Sequence, residues 1–169
     1  YEIASCLVGS EMCIRDREIL SEKKLIGMNL KMSLVDNKTF LLWSSFRKRK
    51  AAIENAVGSD MYSMQVYDKG YYENFNPGNE FVKWAGVEVS GFENIPDGME
   101  SYILKGGKYV VFDYKGNPKN GGEAFKYIFQ EWFPLSEYVL DDREHFEILG
   151  EKYKNDSDES EEEIWIPIK

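Results

Sequence analysis

The chain is poor in the side chains that most often build reactive sites. Among 169 residues there are two cysteines, Cys6 and Cys13, one histidine, His145, and 21 basic groups against 30 acidic ones. Two cysteines are too few for a disulfide-held scaffold. A single imidazole leaves no pair of histidines for a metal centre, and His145 reads as a strand-end residue before it reads as a general acid or base. The deficit of Lys and Arg, a net charge of −9, argues against direct nucleic-acid binding, which rests on phosphate neutralisation. No apolar run approaches the roughly 20 residues that span a bilayer. No glycine-rich phosphate cradle is present either, since Gly106-Gly107 and Gly121-Gly122 punctuate turns. No cofactor and no metal is expected, and the chain is expected to work in the cytoplasm. What is plentiful is aromatic: 4 Trp, 11 Tyr and 10 Phe. With 43% hydrophobic residues such a chain folds, and its length suits one domain with a full core.

Residues 1–17 (YEIASCLVGSEMCIRDR) have no clear helical or strand period. Cys6–Asp16 (CLVGSEMCIRD) looks like the translation of a sequencing adapter. The segment is therefore expected to be a non-native leader, with the native domain over 18–169. Both cysteines fall in that leader, so no thiol chemistry is expected of the domain.

From there the pattern reads as strand Glu22–Ser33, a helix capped by Asn37 or Thr39 and running through Val57 to Gly58, and strands Ser63–Tyr67 and Phe81–Val89. Between those two strands lies a loop rich in Tyr, Asn, Pro and Gly. Strands Met99–Leu104 and Lys108–Tyr114 follow, joined at Gly106-Gly107, then helix Glu123–Phe133 stopped by Pro134. Phe146–Leu149 and Ile164–Ile168 close the chain. The order β-α-β-β occurs twice, and Leu25 to Tyr109, Trp43 to Tyr127 and Trp84 to Trp165 repeat at separations of 84, 84 and 81. The fold class is α+β: duplicated β-α-β-β half-domains with antiparallel sheets, helices on one face and a cleft between the halves.

Strand parity nominates the cleft residues, because successive side chains face opposite sides. Phe81, Ala85, Val87 and Val89 suit the underside of a helix and leave Trp84, Gly86 and Glu88 on the other face. Ile164, Ile166 and Ile168 do the same and leave Trp165. In Phe146–Leu149 the apolar Phe146 and Ile148 oppose Glu147. A Trp or Glu opposite each helix-packing face predicts an aromatic wall with placed carboxylates, suited to a flat or cationic ligand. The bland alternative is an exposed strand face, or a space-filling Trp whose indole N–H is satisfied. Arg47-Lys48-Arg49-Lys50 reads as a solvated helix face. Glu151–Glu163, seven acids and two lysines, reads as a solvated loop without the glycine or spacing of a calcium loop.

Several blocks carry a resemblance: Lys24–Ser33, Leu42-Trp43 with Phe46 and Arg49, Phe81–Val89, Gly107–Gly116 (GKYVVFDYKG), Trp132–Tyr138 (WFPLSEY), His145–Gly150 (HFEILG) and Glu162–Lys169 (EEIWIPIK). From about Ile19 to Lys169 the chain resembles the GyrI-like effector-binding domain, found alone, in integron-associated proteins, and behind AraC-type and MerR-type DNA-binding domains. The resemblance implies a duplicated architecture with a ligand cleft, and it implies that the Glu of the F-E block, Glu147, meets cationic aromatic drugs. Glu88, Trp84, Trp165, Tyr109 and Tyr138 are the further candidate lining residues. Glu137 stands where many members have Gly.

Three functions compete. The first is a small-molecule binding module for a small organic, cationic or aromatic ligand: a stand-alone sensor or sequestering protein, or the ligand domain of a transcription regulator whose DNA-binding partner lies outside this chain. The second is a GyrI-like hydrolase of cyclopropane-bearing or other reactive xenobiotics, with Glu88 and Glu147 as base and electrostatic stabiliser. The third is a protein-binding, gyrase-inhibitor-like module presenting the acidic loop Glu151–Glu163.

Overall fold

The computed structural model describes residues 5–7 and 10–169, so residues 1–4 and 8–9 of the expected leader lie outside the described residues. The strands are β1 (Ser5–Leu7), β2 (Ser10–Leu20), β3 (Lys23–Met32), β4 (Ala56–Val66), β5 (Phe81–Val89), β6 (Glu100–Leu104), β7 (Gly107–Lys115), β8 (His145–Leu149) and β9 (Glu161–Pro167). The helices are α1 (Thr39–Arg49), α2 (Gly121–Tyr127) and α3 (Phe133–Leu135). The two repeats are β3-α1-β4-β5 and β7-α2-β8-β9. Their half-sheets join edge to edge through β4 and β8 into one nine-stranded sheet, in the order β1-β2-β7-β9-β8-β4-β5-β3-β6, with every pair antiparallel.

Register shows the duplication directly. At the join, Ser63 faces Glu147 and Gln65 faces His145. An offset of 82 residues exchanges these two pairs, so a pseudo-twofold axis passes between them. At the far ends Leu20 faces Gly107 and Lys23 faces Leu104, pairs exchanged by an offset of 84. Asp16–Leu20 is thus the counterpart of β6, whereas the part of β2 before Asp16 has none. A break in register between Ile14 and Arg17, with Asp16 at φ 36°, separates the two parts. Residues 10–15 nevertheless continue the strand, and Met12 is buried beside Val110 and Phe112. The missing period of this segment reflects low side-chain burial, since among residues 11–15 Met12 alone is fully buried.

Both helices lie on the same face of the sheet. Leu42 and Phe46 of α1 pack on Ile26, Phe81, Ala85 and Val87. Ala124 and Ile128 pack on Val110, Phe112, Ile164 and Ile166. Burial of each large side chain stabilises by about 2–3 kcal/mol. The opposite face holds a third cluster, including Leu20, Leu25, Trp84, Leu104, Tyr109, Phe146 and Trp165. Its closure follows from connectivity. β2 runs into β3, and β6 into β7, through two-residue turns that tie the two ends of the sheet together, so the sheet curls around this cluster.

Three boundaries differ from the sequence pattern. α1 stops at Arg49, followed by a 3₁₀ turn (Lys50–Ala52) and an extended Ile53, so Val57 belongs to β4. Gly58, at φ 75°, marks a β-bulge between Ala56 and Met61 and not a helix end. The second helix is broken by a π-helical turn over Ile128–Trp132, and Pro134 sits inside its last turn, α3, without ending the helix.

Candidate ligand-binding groove

On the helix-bearing face, α1 covers β3 and β5, and α2 covers β7 and β9. The strip above β4 and β8 lies between them. Register puts Ser63 and Gln65 of β4, Lys83 of β5, His145 and Glu147 of β8, and Glu162 of β9 on this face. These form a polar strip bordered by aromatic rings, and of its residues His145 lines the adjoining cavity.

Glu147 is 7% exposed, and Gln65 Nε2 donates to its Oε2 at 3.0 Å. Burial raises the carboxyl above its ordinary pKa, while the Lys83 ammonium and the Gln65 hydrogen bond pull it back down. Glu162 is pushed up to about 8, chiefly by burial and then by the neighbouring Glu147 charge, with Lys83 opposing. His145 is held neutral by burial, its pKa lowered to about 3, and its Nδ1 has no hydrogen-bond partner. Toward α1, the Tyr153 hydroxyl is raised first by burial, then by Glu162, with the Arg47 guanidinium opposing.

The walls come from a segment that composition marks only as a loop. After β4 the chain turns through Gly70, and Tyr67, Tyr71, Tyr72 and Phe75 form a contiguous ring cluster. Tyr72 stacks on His145, with centroids 5.2 Å apart and planes at 16°, and on Phe129 of the second helix, 4.8 Å away at 22°, and those two rings are themselves 6.0 Å apart, so the three form one cluster. Beyond these rings, toward Val139–Arg143, a cavity of about 290 Å³ opens between Tyr67, Tyr71, Tyr72 and His145. Tyr67 and Tyr72 have hydroxyls raised mainly by burial, so both remain neutral donors. This strip offers the buried Glu147 carboxyl, the half-buried Glu162 carboxyl diagonal to it, and the stacked rings around His145.

The structure divides the residues nominated from sequence between the two faces. Trp84, Tyr109 and Trp165 do come together, but on the face opposite Glu147. There Trp165 stacks on Phe146 at 5.3 Å, and Tyr109 contacts both rings. The cause is the orientation of β8: Phe146 is the cross-strand partner of Trp165, so it shares that face and sends Glu147 to the helix side. The expectation that these groups share one face is therefore corrected. In the curled core Tyr102 Oη donates to Glu144 Oε1 at 2.8 Å, while the buried Oε2 of Glu144 has no hydrogen-bond partner among the described residues. Trp165 Nε1 donates to Glu163 at 2.8 Å, and Tyr109 Oη donates to the Glu144 carbonyl at 3.1 Å. Glu88 lies on the same side and pairs with Lys23 at 3.1 Å, so Glu88 and Glu147 stand on opposite faces of the sheet. Tyr138 stacks on Trp132 past the end of α3. Gln65, Tyr67, Tyr72, Lys83 and Glu162 escaped the sequence reading. Only the 82-residue repeat, which aligns Gln65 with Glu147, offered a signal for one of them.

A sequence model of the GyrI-like small molecule binding domain matches residues 18–169. A curated relative, the transcriptional regulator BrlR of Pseudomonas aeruginosa, is 30% identical over 95 residues. That match covers 54% of this chain and 34% of BrlR, so it spans about a third of the relative's length. Among solved structures, a bacterial transcription regulation protein from Staphylococcus aureus MU50 superposes with a TM-score of 0.70 at 15% identity, covering 91% of this chain and 97% of that one. SAV2435 bound to tetraphenylphosphonium superposes with a TM-score of 0.71 at 16% identity, covering 91% and 93%.

Proposed function

Because this chain belongs to the GyrI-like family of small-molecule-binding domains, we propose that the groove between α1 and α2 receives an organic cation with an aromatic body, and that Glu147 is its counter-ion. The observation that carries this reading is a carboxylate buried beside stacked rings and held by neutral donors alone, the Gln65 side chain and a backbone N–H. An ionised carboxylate in such surroundings is stabilised by a cation brought to it, and neighbouring ring faces attract the same charge. A solved structure with this fold contains tetraphenylphosphonium, a bulky aromatic monocation, which supports the choice of ligand class. Tyr72 packs against both His145 and Phe129, so a ligand that stacks in this ring cluster displaces or joins it.

The wider role we propose is that of a ligand-sensing domain, acting alone or reporting to a DNA-binding partner, in keeping with the likeness to part of BrlR. Calorimetric titration of tetraphenylphosphonium into the wild type and Glu147→Gln tests the site. The reading expects affinity to fall at least tenfold in the variant; equal affinity removes Glu147 from the site.

A further inference from the structure

The duplication makes β3 and β7 equivalent, yet their outer edges are covered differently. In the second half, Glu11–Ile14 extend the ladder on β7, opposite Lys115, Tyr114, Asp113 and Phe112. The 84-residue offset maps that edge onto Met28–Lys31 of β3, and maps residues 11–14 onto 95–98. Those counterparts form no strand. Met99 N–H closes a turn on the Pro96 carbonyl, Gly98 lies at φ 76°, and the Asp97 carbonyl accepts from Arg49 of α1. β6 therefore starts only at Glu100, opposite Gly27, and leaves the next stretch of β3 uncovered. Among the described residues, the backbone of Met28–Met32 bonds to β5 alone. The side chains carry the same difference. Phe112 and Tyr114 are fully buried in the cluster that includes Met12, whereas their counterparts Met28 and Leu30 are half-buried beside α1.

Open edges in native sheets are ordinarily blunted by a bulge, a proline or a free charge. Met28–Met32 has no bulge and no proline, and its one charge, Lys31, is paired with Glu80 at 2.9 Å. The chain continues from this edge into Leu34 and Val35, both exposed, and Phe40 and Leu41 are exposed at the start of α1. The corresponding stretch after β7, Gly116–Asn120, is polar apart from Pro118. An open strand edge that leads into exposed apolar side chains has the character of a binding surface. We propose that Met28–Met32 of β3 is an acceptor site for an extended segment of a partner protein, which adds to the sheet as an antiparallel strand. Residues 12–14 on the equivalent edge show the chemistry that the occupant needs: apolar side chains at alternate positions, directed to the helix side. Met12 opposite Tyr114 corresponds to an apolar residue opposite Leu30, and Ile14 opposite Phe112 to one opposite Met28. The residue between them faces Asn29, which favours a polar side chain there. Main-chain hydrogen bonds supply affinity in this mode of recognition, and the two apolar contacts supply selectivity.

The probe is a capped peptide of residues 10–17 carrying Cys13→Ser, added to the full chain and followed by amide hydrogen exchange read by NMR. In the chain alone, the outward N–H groups between Met28 and Met32 are expected to exchange freely, while Phe112–Lys115 are protected by the strand paired with them. Millimolar peptide is expected to slow exchange at the β3 edge by about tenfold. A peptide with prolines in place of Cys13 and Ile14 lacks the donor that must face the edge, and is expected to leave exchange unchanged. Leu30→Lys in the chain is expected to abolish the effect of the first peptide. No slowing at Met28–Met32 by millimolar peptide overturns the proposal. A response confined to Phe112–Lys115 also overturns it, because then only the β7 edge accepts a strand. Protection of Met28–Met32 in the chain alone, rising with protein concentration, would seat a second copy on the edge and overturn the partner-segment assignment.

Discussion

Glu162→Gln gives the groove a thermodynamic signature without any ligand. In the folded chain the Glu162 carboxyl is raised from 4.5 to about 8, first by burial and second by Glu147. A carboxyl raised on folding stabilises fully below its unfolded value and loses that contribution as pH rises through the folded one. Between pH 4.5 and 8 the unfolded state gives up a proton that the folded state keeps, at about 1.4 kcal/mol per pH unit. The loss amounts to about 5 kcal/mol by pH 8 and levels off above it. Glutamine keeps the shape and cannot ionise, so the stability of Glu162→Gln relative to wild type is expected to climb from near zero at pH 4 to several kcal/mol at pH 8. Urea denaturation of both proteins at half-unit steps from pH 4 to 9 reads this difference. Parallel pH curves would refute the reasoning, for they would show that Glu162 ionises normally in the fold.

His145 is lowered by burial to about 3, so stability falls as pH drops below 6.5 and continues to fall to about 3; His145→Phe is expected to flatten that acid limb in thermal unfolding, while an equally steep limb would place the acid sensitivity elsewhere. Gly27 faces Gly86 across β3 and β5, and a Cβ there would overlap the Ala85 carbonyl oxygen; Gly27→Ala is expected to destabilise by about 2–4 kcal/mol by chemical denaturation. Removing residues 1–17 deletes the burial of Met12 but leaves both repeats and Leu20 in place. We expect residues 18–169 to fold and to bind tetraphenylphosphonium with wild-type affinity, at a stability lower by about 2–3 kcal/mol; failure to fold would make the N-terminal strand part of the domain.

How much of this could be read from the sequence depends on whether a strand has one plain face. β5 and β9 do: Phe81, Ala85, Val87 and Val89, and Ile164, Ile166 and Ile168, alternate cleanly, and the structure puts both sets under helices. β8 does not. Phe146 and Ile148 enter the curled core, while His145 and Glu147 are buried on the helix side, so both faces of that strand are covered. Alternation then reveals that Glu147 opposes Phe146 without revealing which one meets the helices. Assigning apolar residues to the helix side inverted that strand and joined Glu147 to the wrong aromatics. The wall rings were hidden for another reason. Tyr71, Tyr72 and Phe75 sit among Gly70, Asn74, Pro77 and Gly78, whose backbone preferences mark a loop, and period-based reading assigns a loop no packing role. Element order and duplication survived because they depend on spacing over 80 residues, which a shifted helix end or a missed edge strand does not disturb.

The central claim is that the ligand enters on the helix side of the sheet, at Glu147, and not in the curled core around Trp84 and Trp165. NMR titration of the full chain with tetraphenylphosphonium compares the two faces in one experiment. The account predicts large shifts in the ring signals of Tyr72 and His145 and in the Glu147 carboxyl carbon, with the indole N–H signals of Trp84 and Trp165 unmoved. Shifts centred on those two indoles, with Glu147 and Tyr72 silent, would contradict it.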